Sequence, residues 1–165
     1  MNEPVVRTIE DIWPLQAALN AKVGIDTLAL GRRLVEEGSR GAPPAEGGAP
    51  PAAGGIRLEV GRALKNYIDA LSSECHELMG CLAWKHWYKE ARAGRQHELR
   101  DLQNARVEAV DLLFFWVSIC QLLGLSPQDV CRLYQKKLAI NHRRRDEDRT
   151  QAQHGAHEDE NRTVV

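Results

Sequence analysis

Two pairs of carboxylates set into apolar helical patterns constrain this chain more than any other feature. Ser73-Glu74-Cys75-His76-Glu77-Leu78 and Arg106-Val107-Glu108-Ala109-Val110-Asp111 each carry two acids three positions apart. On a helix such residues share one face, about 5–6 Å apart at Cβ, so each pair aims at one point in space. An apolar stripe runs through Val60, Leu64, Tyr67, Leu71, Leu78 and Cys81 at steps of three and four. Glu74 falls on that stripe, and Glu77 lies one step round it with Ala70, Cys81 and Trp84. Glu108 and Asp111 stand at the entrance to residues 110–123, which are apolar almost all round, as in a buried helix.

Four acids brought together beside a core repel one another, and an unpaired buried charge costs several kcal/mol or more. A divalent cation answers both problems. An all-oxygen ligand set suits Mg²⁺, with Mn²⁺ as a substitute, whereas Zn²⁺ usually recruits Cys or His. Di-iron bundles use Glu-x-x-His, and here the fourth positions are Glu77 and Asp111. The plainer alternative is that all four acids are solvated residues on ordinary amphipathic helices.

The surrounding sequence reads as all-α, a bundle of about five helices with a four-helix core. A first helix is expected over 8–22, with Ile9, Ile12, Leu15, Leu19 and Val23 as its apolar face. Pro14 starts its regular part or kinks it, and Gln16 and Asn20 project together as paired amides. Gly24 ends it, and a short helix follows over 27–37. Residues 38–55, written mostly in Gly, Ala and Pro, read as a mobile insertion within a domain spanning 1–149. A long third helix is expected over 57–90, bent near Ser72-Ser73. It would carry Trp87 about three turns above Glu77. After a Gly94 loop, a fourth helix over 96–123 places Asp101, Asn104, Glu108, Asp111 and Phe115 on one stripe. Phe115 and Trp87 could then sandwich a flat ring above the acids.

Ser126-Pro127-Gln128-Asp129 opens a last helix with a serine cap, a first-turn proline and an acid at the third helical position. Its stripe changes from apolar to phosphate-binding types at Lys137, Asn141 and Arg144, which a basic, dipole-compensating helix end would also explain. A mixed-charge tail over 150–165 is expected to be disordered. The net charge of -1 gives no global pull toward nucleic acid or membrane, and no apolar run reaches the ~20 residues of a membrane span. A cytoplasmic protein is expected, its four cysteines reduced and structural.

Taken together, Glu74-Cys75-His76-Glu77-Leu78, Trp84-Lys85-His86-Trp87, Glu108-Ala109-Val110-Asp111 and Tyr134-x-x-Lys137-x-x-x-Asn141-x-x-Arg144 resemble the all-α nucleoside triphosphate pyrophosphatases. The likeness is to the dimeric dUTPase family, with MazG-like proteins as more distant relatives, and it covers most of residues 60–145. It implies a homodimer, or a tetramer, of helical bundles that hydrolyses dUTP to dUMP and pyrophosphate. By it, Glu74, Glu77, Glu108 and Asp111 would hold two or more Mg²⁺ ions, and Glu77 or Glu74 would activate water. Asn20, Trp87 and Phe115, with Gln16 as a helper, would enclose the uracil. Lys85, Lys137, Asn141 and Arg144 would contact phosphates or sugar.

Two rivals remain at this stage. One is the same chemistry on another base, as in a MazG-like or dCTP-directed pyrophosphatase. The other is a non-catalytic helical dimer whose His142-Arg143-Arg144-Arg145 run binds nucleic acid; the resemblance itself implies no nucleic-acid or membrane partner.

Overall fold

A computed structural model describes residues 5–39, 55–146 and 163–164. Among them are six helices and no strand: α1 (Ile9–Lys22), α2 (Thr27–Ser39), α3 (Ile56–Gly80), α4 (Lys89–Arg92), α5 (Leu102–Leu122) and α6 (Pro127–Asp146). The chain divides into two compact units, Met1–Gly124 and Leu125–Val165. Of the insertion expected over 38–55, only Gly38, Ser39 and Gly55 belong to the described residues, where they end α2 and cap α3. Of the expected tail, only residues 163–164 do.

Short polar side chains start most of the helices, because the first turn leaves backbone N–H groups without intrahelical partners. Thr8 and Asp11 form a reciprocal capping box on α1: Asp11 N donates to Thr8 Oγ1 at 3.3 Å and Thr8 N to Asp11 Oδ2 at 2.9 Å. Asp26 accepts from Ala29 N at the start of α2, and Asp101 from Asn104 N at the start of α5, both at 2.9 Å. Ser126 and Asp129 repeat the reciprocal box on α6, as their order in the sequence predicts. Helix α1 is continuous through Pro14, which removes one backbone donor from its interior.

Within the first unit α1, α2, α3 and α5 pack on one another, with the longest seam between α3 and α5. The two run antiparallel, so contacts step forward on one as they step back on the other. Cys81 meets Asn104, Glu74 meets Glu108 and Asp111, Tyr67 meets Phe115, and Val60 and Ala63 share a core with Leu122. Leu30 joins this core from α2. The α2–α5 crossing is close enough that a Cβ on Gly31 would collide with the Gln121 carbonyl, so only glycine fits there.

Three expectations change. First, α3 stops at Gly80 instead of reaching residue 90. Trp84-Lys85-His86-Trp87 therefore lies in the following segment, and the three-turn placement of Trp87 above Glu77 does not hold. Second, α5 begins at Leu102, not at 96. The residues between form a clasp: Leu82 and Leu99 make an isolated antiparallel bridge, Ala83 N donates to Glu98 O at 2.9 Å and Arg100 N to Cys81 O at 2.9 Å. Third, the expected apolar face of α1 is largely outward, with Leu15 39%, Leu19 45% and Val23 70% exposed. Its buried residues are Trp13, Gln16 and Asn20.

Candidate metal centre and its surroundings

The α3–α5 seam brings carboxylate oxygens of Glu74, Glu108 and Asp111 within 4.8 Å of one another. Glu108 is buried, at 7% exposed, while Glu74 and Asp111 are half-buried. Burial, then repulsion from Glu77, Asp111 and Glu108, push the Glu74 carboxyl above its ordinary value, and a hydrogen bond with Glu108 acts in the same direction. Protonation is how such a group lowers its charge when no cation is near. Glu77 stands outside the triad on the exposed side of α3, close enough to Glu74 to raise its pKa. Asn104 Nδ2 donates to Glu108 Oε1 at 2.9 Å and to Cys81 Sγ at 3.5 Å. The donor set is all oxygen, which fits Mg²⁺ or Mn²⁺.

Two turns along the seam, Phe115 packs against Tyr67 with ring centroids 6.4 Å apart and joins the edge of the core. Burial raises the Tyr67 phenol, and its hydroxyl lacks a well-formed hydrogen bond. Trp87 does not meet Phe115 among the described contacts. Its ring neighbours are His86, at 4.7 Å edge-on, and Tyr88. Lys85 extends its ammonium over Trp84, Trp87 and Tyr88 at 5.2, 5.6 and 5.8 Å from the ring centroids, a cation–π cluster in the segment after α3.

Gln16 and Asn20 are not solvated amides. They are 5% and 3% exposed and sit in a buried polar network that joins α1, α2 and α5. Gln16 Nε2 donates to Asn20 Oδ1 at 3.0 Å and Ser118 Oγ at 3.1 Å, and Asn20 Nδ2 to Ser118 Oγ at 3.0 Å. Thr27 Oγ1 donates to Gln121 Oε1 at 2.5 Å, and Gln121 Nε2 to the Trp13 carbonyl at 2.8 Å. Gln16 Oε1 remains without a partner. Beside Gln16, Ile12, Leu15, Val110, Leu113 and Phe114 line an apolar hollow of about 230 Å³.

Lys137, Asn141 and Arg144 belong to the second unit, at four- and three-residue steps on one face of α6. Asn141 is exposed, and Lys137 and Arg144 are half-buried. All four cysteines are free, and burial pushes the Cys120 thiol up to about 11, so it stays protonated and inert near neutral pH. No single helix among the described residues is long and apolar enough to cross a membrane.

Sequence reading placed Tyr67, Cys81 and Asn104 on helical stripes but gave them no polar role, and it gave none to Thr27, Ser118 or Gln121. Thr27, Ser118 and Gln121 lie far in sequence from most of their side-chain partners, and only the pairing of α5 with its neighbours reveals them. Asn104 was the most accessible of all these residues, since it shares a stripe with Glu108 one turn away. Comparison with models of known protein families, with curated proteins and with solved structures found no match.

Proposed function

We propose that the chain is a Mg²⁺-dependent nucleoside triphosphate pyrophosphohydrolase with dUTP as its substrate, working in the cytoplasm as a homodimer. The observation that carries this reading is the convergence of Glu74, Glu108 and Asp111 from two antiparallel helices onto one point. Acceptors alone meet there, apart from the Asn104 amide, so the cluster calls for positive charge.

When bound at the cluster, such cations would supply electrostatic stabilisation of phosphate oxygens and would acidify a water molecule. Glu74, Glu108 and Asp111 would hold them through oxygen. Glu77, exposed one turn beyond Glu74, takes the proton as the water oxygen attacks phosphorus and pyrophosphate leaves. At the other end of the seam, Phe115 and the Gln16–Asn20 amides form the base end. Gln16 Oε1, an acceptor with no partner, matches the single N3–H donor of uracil. The exposed apolar Val107, Val110 and Phe114 of α5, with Leu15 of α1, support a second copy as the cover of that face.

A panel of standard and modified nucleoside triphosphates, assayed for pyrophosphate release with Mg²⁺, tests the reading. The fastest turnover is expected for dUTP. Preference for dCTP or a modified base would keep the chemistry and replace the base assignment; no pyrophosphate from any member would end the proposal.

A further inference from the structure

Glu108 is the most buried acid of the cluster, and a carboxylate so placed needs its orientation fixed before it can share a cation with two others. Its partner for that purpose is Asn104, one turn earlier on α5, whose Nδ2 lies 2.9 Å from Glu108 Oε1. A side-chain amide nitrogen has two N–H groups. The second meets the Cys81 sulfur at 3.5 Å, and that thiol donates onward to the Glu77 carbonyl at 3.7 Å. The backbone of Asn104 is held as well, since its N–H donates to the Asp101 cap at 2.9 Å. The side-chain amide is thus held by two partners, one on α5 and one at the C-cap of α3, and the backbone of the same residue by a third.

We propose that Asn104 is the positioning residue of this cluster: it fixes the rotation of the Glu108 carboxylate and ties it to the end of α3, so that the oxygens of Glu74, Glu108 and Asp111 are preorganised for a divalent cation. The inference rests on the metal reading above. Outer hydrogen bonds of this kind orient a ligand and typically alter metal affinity by about 10–100-fold when removed. Asn104 is exposed overall, and alanine is the strongest helix former, so Asn104→Ala removes the amide without breaking α5.

The test is Mn²⁺ binding by the metal-free protein, read from the loss of the free-ion paramagnetic resonance signal, with helix content followed by circular dichroism. Asn104→Ala should weaken Mn²⁺ binding by about tenfold at unchanged helix content. Asn104→Gln, which keeps the amide donor, should recover most of the loss, and Glu108→Gln should bind at least as weakly as Asn104→Ala. Wild-type affinity in Asn104→Ala alongside weakened binding in Glu108→Gln would overturn the positioning role and leave the metal reading standing. Equal loss in Asn104→Ala and Asn104→Gln would also overturn it, since packing and not donation would then be the cause. Wild-type affinity in Glu108→Gln would remove the metal reading and this inference with it.

Discussion

Helix α5 carries two polar clusters, and they differ in what they lack. Toward its C-terminal end Ser118 and Gln121 join Gln16, Asn20 and Thr27 in a network of mixed donors and acceptors, closed but for Gln16 Oε1. Toward its N-terminal end Glu108 and Asp111 meet Glu74, and the group is nearly all acceptors. Amides and hydroxyls can satisfy one another, so the first cluster lacks only a single donor, at Gln16 Oε1. Carboxylates cannot, so the second is complete only with protons or cations. The lesson is that burial alone does not mark a chemical site; an imbalance of donors and acceptors does.

Three perturbations sharpen that contrast. The largest effect is expected from Glu77→Gln. It keeps the size of an exposed side chain and should lower dUTP turnover by about 10²–10⁴-fold while the helical circular dichroism spectrum stays unchanged. Wild-type turnover in this variant would remove Glu77 from the catalytic assignment.

Next, Gln121→Ala at the amide cluster should cost about 2–4 kcal/mol in urea unfolding, because it strands Thr27 and the Trp13 carbonyl and opens a void. Mg²⁺ should not restore that loss. A change below about 0.5 kcal/mol, the range of ordinary surface substitutions, would mean that the network relaxes or takes in water.

The smallest effect concerns pH in metal-free protein. The folded pKa of Glu74 is raised above its ordinary 4.5, so the folded state binds the proton more tightly. Its contribution is fully present below 4.5 and is lost as pH rises through the raised value. Asp129 has the opposite sign: its pKa is lowered from 3.8 to about 2 by Ser126 and Arg132, so its contribution fades as pH falls through that window. Melting temperature should therefore climb as pH drops from neutral toward 4.5, then fall below 3.8 as Asp129 loses its contribution, with Mg²⁺ abolishing the climb. A climb of the same size with saturating Mg²⁺ would show that the cation does not replace the proton at Glu74.

Local chemistry made much of the fold readable. Thr8, Gly24, Ser126-Pro127 and Gly124 mark helix ends where the structure has them, because caps and left-handed glycines act within one turn. Gly80 is the last residue of α3 and does not take the left-handed conformation of Gly24 and Gly124, so it gave no such signal, and the aromatic residues beyond it extended the apolar pattern and hid the break. The acids on the α3 and α5 stripes were legible, since periodicity fixes which side chains share a face. Their convergence was expected for all four and holds for Glu74, Glu108 and Asp111 but not Glu77, because which acids meet depends on how far α5 slides along α3. The α1 face was misread for a related reason. Periodicity ranks Leu15 and Leu19 as core and amides as surface, whereas partners about a hundred residues away make burial of Gln16 and Asn20 affordable.

The Leu82–Leu99 clasp bears on how this scaffold tolerates change. It knots the connection at its neck, so the excursion between, with Trp84, Lys85, Trp87 and Tyr88, hangs from a closed ring. Residues can be gained, lost or exchanged inside that ring without shifting one acid-bearing helix against the other, so contacts made by the aromatic loop can be rewritten while the spacing of the oxygens is conserved.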